Sequence, residues 1–405
     1  MSVIPLYEQY GSGIRDLFSS AACIKILMLL LESGRPLPDI CAGTGHVHAA
    51  VLAKVRQLEE YGLLTRTSET FALSTIGTVL AAKIQPLYVG PDAGADDDPS
   101  SASARSAPAE PEEGADSFDG PALLASFDIA NHYERRVKEV NLVMRSGIRT
   151  RMLLELEDGM KDRGVLRAAT GCKASHFRKN LRRLVDAGLL LEQTGGISLT
   201  PEGTIIAARL TEIIPVAALI IRHRGFWRDH ELCNLPWFAL DSLGALADST
   251  IIHDEQQEFF RTYEHYLSLI ASAHHIHGIT GMANPGFAEA IGRRAVEGIP
   301  AEIIVTPSLA RHLHDEPYRK KVRALSTFPH FGFRVTELPI PPCITVTDTG
   351  LSMKMYLRHT GIHDQANGFV STAPEALTWA ERVYEYYRRH SLLLKEYSKD
   401  SDQKE

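Results

Sequence analysis

Cysteine is scarce: the 405 residues hold five, at positions 23, 41, 172, 233 and 343. An odd number without regular spacing builds neither a disulfide framework nor a zinc cage. A basic surplus is missing too. Lys and Arg total 43 against 50 Asp and Glu, a formal charge of −7, which argues against a uniformly basic nucleic-acid binder. Uninterrupted apolar runs such as 213–221 reach only about nine residues, about half a membrane span. The opening MSVIPLYEQYGSG lacks the basic start and apolar core of a secretory signal. These absences predict a cytoplasmic protein without a membrane segment. No G-x-S-x-G elbow, no G-x-x-x-x-G-K-[ST] loop, no G-x-G-x-x-G and no C-x-x-C occurs.

The acidity is local. Residues 90–120 carry nine acids (Asp92, Asp96, Asp97, Asp98, Glu110, Glu112, Glu113, Asp116, Asp119) against Arg105 alone, so the remainder nets about +1. This stretch is rich in Ala, Ser and Pro, with one aromatic, and cannot bury enough surface to order itself. As a flexible coil of some thirty residues it would span about 30 Å.

Two copies of one pattern flank it. A shift of 126 aligns 20–82 with 146–208 without a gap. Thr44-Gly45 meets Thr170-Gly171, Gly62-Leu63-Leu64 meets Gly188-Leu189-Leu190, and Gly77-Thr78 meets Gly203-Thr204. Leu27, Leu30, Arg56, Leu58 and Leu73 fall on Leu153, Leu156, Arg182, Leu184 and Leu199. Such agreement at turn and core positions marks a repeated domain.

Each copy reads as three helices, a hairpin and a fourth helix. In the second, Ile148, Met152, Leu153 and Leu156 have helical spacing and Gly159 ends the run. A short helix at 165–169 closes on Thr170-Gly171. Ser175 is the expected N-cap of a third helix with the apolar stripe Phe177, Leu181 and Leu184, and Gly188 its left-handed stop. Strands at 189–193 and 197–199 turn at Gly195-Gly196, and Thr200-Pro201 opens the last helix. This order resembles the winged helix-turn-helix modules of archaeal transcription regulators.

The resemblance implies that the third helix reads double-stranded DNA. Opposite its apolar stripe lie Ser175, Lys179, Arg182, Arg183 and Asp186, with His176 and Arg178 on the flanks and Lys173 just before. Cations on that face suit phosphate contact and guanine readout, and the hairpin tip at Gly195 and Gly196 joins them. Over 145–212, twelve bases against eight acids leave +4. The equivalent face of the first copy is Ala49, Ala53, Arg56, Gln57 and Glu60, and residues 10–88 net +1. Arg56 is its one cation in register, so the first copy is expected to be a weaker reader or a dimerisation module.

From 249 onward short apolar runs alternate with amphipathic helices. Strands are expected at 250–253, 276–281, 301–306, 333–338, 343–347, 351–357 and 368–371, with helices at 256–272, 284–297, 308–326 and 374–394. This predicts a partly parallel sheet covered by helices, with a meander near 333–357. The stretches "FWRDHELCNLPWFALDSLGALADSTII" (226–252), "HGITGM" (277–282), "VEGIPAEIIVTP" (296–307), "ITVTDTGLSMKMYLR" (344–358) and "GFVSTAPEALTWAERVYEYYRRHS" (368–391) carry a second resemblance. Together they resemble, over 223–391, the middle domain of archaeal methanogenesis regulators of the filament-linked family. Members place such a domain after one winged helix; this chain departs in having a second, upstream one. The region is also similar to phospholipase-D-like sensor domains of sugar-responsive archaeal regulators. None of the 17 histidines is followed two residues later by lysine, so the H-x-K nucleophile of that enzyme class is absent.

The resulting expectation is an α+β multidomain chain. It comprises a first winged helix (10–88), an acidic linker (90–121) and a helical lead-in (122–145) that could pair across a dimer. A DNA-binding second winged helix (146–222), a non-catalytic phospholipase-D-like α/β sensor (223–394) and a polar tail (395–405) follow. Open sheets bind ligands beyond the carboxyl ends of their strands. That rule selects Thr280, Met282, Thr306, Thr347 and Asp348 for an unidentified small-molecule effector. His274, His275 and His277 lack companion acids at helical spacing and read as surface or core residues, so no metal or cofactor is expected. The function implied is an effector-responsive regulator of transcription, a homodimer, not an enzyme. Its rivals are a winged-helix protein–protein adaptor and a phospholipase-D-like hydrolase.

Overall fold

The structure, a computed structural model, describes residues 3–18, 20–67, 69–89, 138–254, 260–316 and 318–397. The acidic linker, the lead-in before 138 and the tail beyond 397 lie outside the described residues. The chain divides into two compact units, Met1–Ala81 with Leu210–Glu405, and Ala82–Arg209. The first copy therefore belongs to the same unit as the C-terminal half, a grouping that local sequence patterns do not encode.

The elements of the first copy are α1 (Val3–Phe18), α2 (Ala21–Glu32), α3 (Leu37–Thr44), α4 (His48–Glu60), the hairpin β1 (Leu64–Arg66) and β2 (Phe71–Leu73), and α5 (Thr75–Val89). Those of the second are α6 (Gly147–Glu155), α7 (Arg163–Thr170), α8 (Ala174–Asp186), the hairpin β3 (Leu190–Gln193) and β4 (Gly196–Leu199), and α9 (Pro201–Arg222). Adding 126 to the bounds of α3 and α4 gives those of α7 and α8. The buried stripe Val51, Val55 and Leu58 becomes Phe177, Leu181 and Leu184 by the same shift. Burying each such side chain stabilises its module by about 1.5–3 kcal/mol. Gly45 (φ 67°) and Gly171 (φ 62°) end α3 and α7 in the left-handed conformation that a side chain disfavours.

Two local expectations are corrected. Ser175 is not the N-cap of α8; that position is Lys173, which makes no side-chain cap bond. The hairpin turns at Thr194-Gly195, one residue earlier than expected, because Gly196 already pairs with Gln193. A Cβ at Gly196 would meet the Lys161 carbonyl oxygen at 2.5 Å, so this glycine serves a close backbone approach. Of the lead-in, the described residues 138–144 are helical, with Val140, Val143 and Met144 buried.

α9 runs 22 residues, as the continuous helix expected there, with a mean hydropathy of 1.9 over its most apolar window. It is long and apolar enough to cross a bilayer, yet 56% of that window is buried inside the protein, Val216–Ile220 among it.

Beyond α9 come α10 (Arg224–Asp229), β5 (His230–Glu231), α11 (Trp237–Asp241), β6 (Thr250–His253), α12 (Arg261–Ser272), β7 (Ile276–Thr280), α13 (Pro285–Val296) and β8 (Ala301–Val305). They are followed by α14 (Pro307–Leu313), α15 (Tyr318–Leu325), β9 (Phe331–Val335), β10 (Cys343–Thr347), β11 (Leu351–Lys354), β12 (Tyr356–Leu357), β13 (Asn367–Ser371), α16 (Pro374–Arg389) and β14 (Leu392–Leu393). Eight strands form one sheet in the order β14-β9-β8-β7-β10-β11-β13-β6. The β7–β8–β9 pairs are parallel and all others antiparallel. On one face Tyr266 and Ile270 of α12, Ala290 of α13 and Leu309 of α14 share a core with Ile276, Ile303, Val305 and Phe331 of the strands. α16 packs across β7, β10 and β11, with the Trp379 indole donating to the Ala239 carbonyl at 2.9 Å.

The meander near 333–357 is not formed. β9 pairs with β8 and β14, whereas β10 crosses to the far side of β7. The proline-rich connection Pro339-Ile340-Pro341-Pro342 suits a crossover better than a tight hairpin, because proline donates no ladder hydrogen bond. Likewise 351–357 breaks after Lys354, since β12 pairs with β5 in a separate ribbon. The expected helix 308–326 is two, α14 and α15, with Pro317 between them in the sequence.

Candidate nucleic-acid interface and ligand cavity

In the unit Ala82–Arg209, the amphipathic split of α8 is complete. Phe177, Leu181 and Leu184 are at most 2% exposed, while Lys173, Ser175, His176, Arg178, Lys179, Arg182 and Arg183 are all exposed. Arg149, a further base of this unit, stands behind that helix. Its side chain is buried, donating to the Leu142 carbonyl and, at 2.8 Å, to Asn180 Oδ1 on α8. Burial first, then the charge of Arg183, lowers its pKa from the ordinary value. Arg149 thus orients α8 from behind and presents no charge outward; helical spacing carries no signal for that role. At the hairpin, Arg163 and Glu192 pair at 3.2 Å, both half exposed.

The first copy is built differently. Arg56 is exposed, as expected, with Ala49 and Ala53 beside it. The segment after α4 is engaged elsewhere in its unit: Gly62 (φ 70°) lies so close to Trp227 that a Cβ would approach its carbonyl carbon to 2.3 Å. The Thr75 amide donates to Glu231 at 3.2 Å, and α10 packs on α4. Gly188, the counterpart of Gly62, has the same φ of 70° and open space around it.

The α/β part holds a cavity of about 570 Å³. Its floor is a cross-strand ladder in which Thr345 of β10 lies between Gly278 of β7 and Ser352 of β11, and Cys343 opposes Lys354. At Gly278 the Ile303 side chain packs where a Cβ would stand, and Phe287, Leu309, Leu313 and Phe333 supply apolar walls. The Tyr266 hydroxyl meets Thr345 Oγ1 at 3.3 Å, and burial pushes the phenol up to about 12. Lys354 donates to the carbonyls of Gln365 and Asn367 at 3.0 and 3.1 Å. Burial, outweighing the nearby charges of Asp254 and Asp364, holds its pKa below the ordinary value.

Of the five residues expected at an effector pocket, Thr280 and Met282 line this cavity and three do not. Thr306 caps α14, accepting from the Leu309 amide at 3.1 Å. Thr347 is buried and holds the following turn through the amides of Thr349 and Gly350. Asp348 accepts from the amide and imidazole of His274, each at 2.8 Å. Thr347 and Asp348 lie away from this cavity because β10 runs antiparallel to β7. Thr347 pairs with Ile276, so the carboxyl end of β10 lies at the opposite end of the sheet from Thr280.

Sequence spacing also missed an acid beside the histidines. Glu381 of α16 accepts from His275 Nε2 at 3.0 Å and from His277 Nδ1 at 2.8 Å. Burial alone would raise its carboxyl, but the hydrogen bonds and charges of His277 and then His275 hold it below the ordinary value.

Comparison with known proteins places this geometry in context. The family model described as methanogenesis regulatory protein FilR1, N-terminal domain, matches residues 12–89 and 137–218, the stretches containing the two copies. The model for the FilR1 middle domain matches 259–390, starting later than the 223 expected from the sequence. The chain is 23% identical over 263 residues to the methanogenesis regulatory protein FilR1 of Methanothrix harundinacea (strain 6Ac), covering 64% of this chain. It spans 59% of that relative's length. Among solved structures, TrmBL2, described as an archaeal chromatin protein with a novel mode of DNA binding, aligns over 60% of this chain and 91% of its own. That alignment has 11% identity and a TM-score of 0.29. Nuc, a phospholipase D family member from Salmonella typhimurium, aligns over 36% of this chain and 97% of its own, again with 11% identity and a TM-score of 0.29. At such scores neither structure bears on fold or function.

Proposed function

We propose that this chain, which carries FilR1-type N-terminal and middle domains of a regulatory rather than catalytic family, is a DNA-binding regulator of transcription. The second copy acts as a winged helix-turn-helix, with α8 in the major groove and the β3–β4 hairpin against the backbone. The observation that carries this reading is the exposed cationic face of α8 over a fully buried apolar stripe. Lys173, Arg178, Lys179, Arg182 and Arg183 supply charge for phosphates and guanine edges. The first copy, docked by Gly62 and Thr75 onto residues 227–231, serves as part of the sensor body and makes at most a minor contact through Arg56. A cytoplasmic homodimer would present two reading heads to a two-fold operator.

The 570 Å³ cavity is assigned to the effector. Its apolar walls and its floor of hydroxyls and one amine suit a small molecule with an apolar body and a polar group. Titration of the full chain against promoter fragments and random duplex, at several salt concentrations and with host metabolite extract, tests the reading. Preference for promoter DNA that shifts with extract supports it; equal, weak binding to all duplexes makes the chain a protein–protein adaptor instead.

A further inference from the structure

We propose that His275, His277 and Glu381 form a binding site for one divalent transition-metal ion of the zinc, cobalt or nickel type. His277 is the second residue of β7 and His275 immediately precedes the strand, and both imidazoles turn to the same acid on α16. α16 packs across β7 and delivers Glu381 between them. One donor atom from each residue lies within 4.8 Å of the others, with the hydrogen-bonded pairs at 2.8 and 3.0 Å. Ligands about 2.1 Å from a tetrahedral ion stand about 3.4 Å apart. The donor separations therefore need to change by at most about 1.4 Å, shared among three side chains and within reach of their rotation.

The donor set chooses the ion. Two imidazoles and one carboxylate suit zinc, nickel, cobalt or ferrous iron, whereas calcium and magnesium take oxygen ligands. All three side chains are about one third exposed, so an ion can reach them. A surface cavity of about 330 Å³ opens against His277 and Glu381 and is also lined by Glu302, His330 and Glu385, leaving room for water at the remaining coordination positions. The His277 ring is fixed by stacking on Tyr384, with centroids 4.2 Å apart and planes within 1°. Tyr384 in turn donates to Glu302, which Arg388 holds at 2.9 Å. Such supports orient ligands before an ion arrives. On binding, each imidazole moves its proton to the ring nitrogen away from Glu381, freeing the facing lone pair. The site stands apart from the ligand cavity, since Gly278 and Thr280 line that cavity while His277 faces α16. It does not rest on the DNA-binding reading.

The test is calorimetric titration of the reduced full-length chain with zinc, and with cobalt followed by its visible absorption. Wild type is expected to take up one ion per chain and to melt at higher temperature with it. His277→Ala and Glu381→Gln should each weaken binding by at least about tenfold. Glu381→Gln preserves side-chain size, so it decides the matter if His277→Ala proves unstable. Three results would overturn the site: no stoichiometric uptake by wild type, unchanged affinity in Glu381→Gln, or thiolate-to-cobalt absorption showing cysteine ligands.

Discussion

Arg182→Ala is the sharpest probe of the proposed reading head. The side chain is 83% exposed, and its ion pair with Asp186 is long, 3.8 Å, with the partner 67% exposed. An exposed pair of this kind contributes about 0–1 kcal/mol, so the variant should melt with wild type. Any change in DNA binding then reports a lost contact and not a lost fold. If Arg182 reads a guanine edge, promoter affinity should fall by about 1–3 kcal/mol, or about 5- to 150-fold, with little effect on random duplex. If it meets only phosphate, binding should weaken alike on all sequences and the log–log salt slope should drop by about one. Arg56→Ala is the internal control, because Arg56 occupies the same register 126 residues earlier on a face of alanines. Fluorescence anisotropy with both duplexes at three salt concentrations separates these cases. Equal losses in the two variants, or none in either, would refute the asymmetry argued from α8.

Gly62→Ala and Gly188→Ala should differ although both glycines have φ 70°. The second costs only the left-handed conformation, about 1–2 kcal/mol, whereas the first adds about 1–3 kcal/mol of overpacking against the Trp227 backbone; equal melting shifts would contradict that contact. Asp364→Ala should destabilise by about 3 kcal/mol, because it strands His230, whose imidazole pairs with Asp364 at 2.8 Å with both side chains buried. Burial would raise the Asp364 carboxyl, but hydrogen bonds from Asn367, His230 and the Ala366 amide hold it below the ordinary value. Its contribution is therefore present above the ordinary aspartate range and is lost as pH falls through the lowered value. Acid melting curves should converge for wild type and variant, and a constant gap down to the lowest pH would count against the pair. Ala288→Trp, at an exposed rim position of the ligand cavity, should abolish any thermal shift that host metabolites give wild type while leaving the unliganded melting temperature unchanged; a retained shift would place the effector elsewhere.

The residues by themselves determined whatever depends on neighbours along the chain. Helical period and turn glycines are local, so the two copies, the stripe Phe177–Leu181–Leu184 and the cationic face opposite it were all legible before any coordinates. Most strands of the α/β half were legible for the same reason. Pairing was not, because a strand's alternation says which residues share a face and not which strand lies beside it. Only the tertiary structure sent β10 to β7 instead of β9, and that antiparallel register moved Asp348 away from the cavity that Thr280 lines. It also brought Glu381 to His277 across 104 residues and set Gly62 against Trp227. Those meetings are decided by how apolar faces bury against one another over the whole unit, a collective balance that no local window of sequence contains.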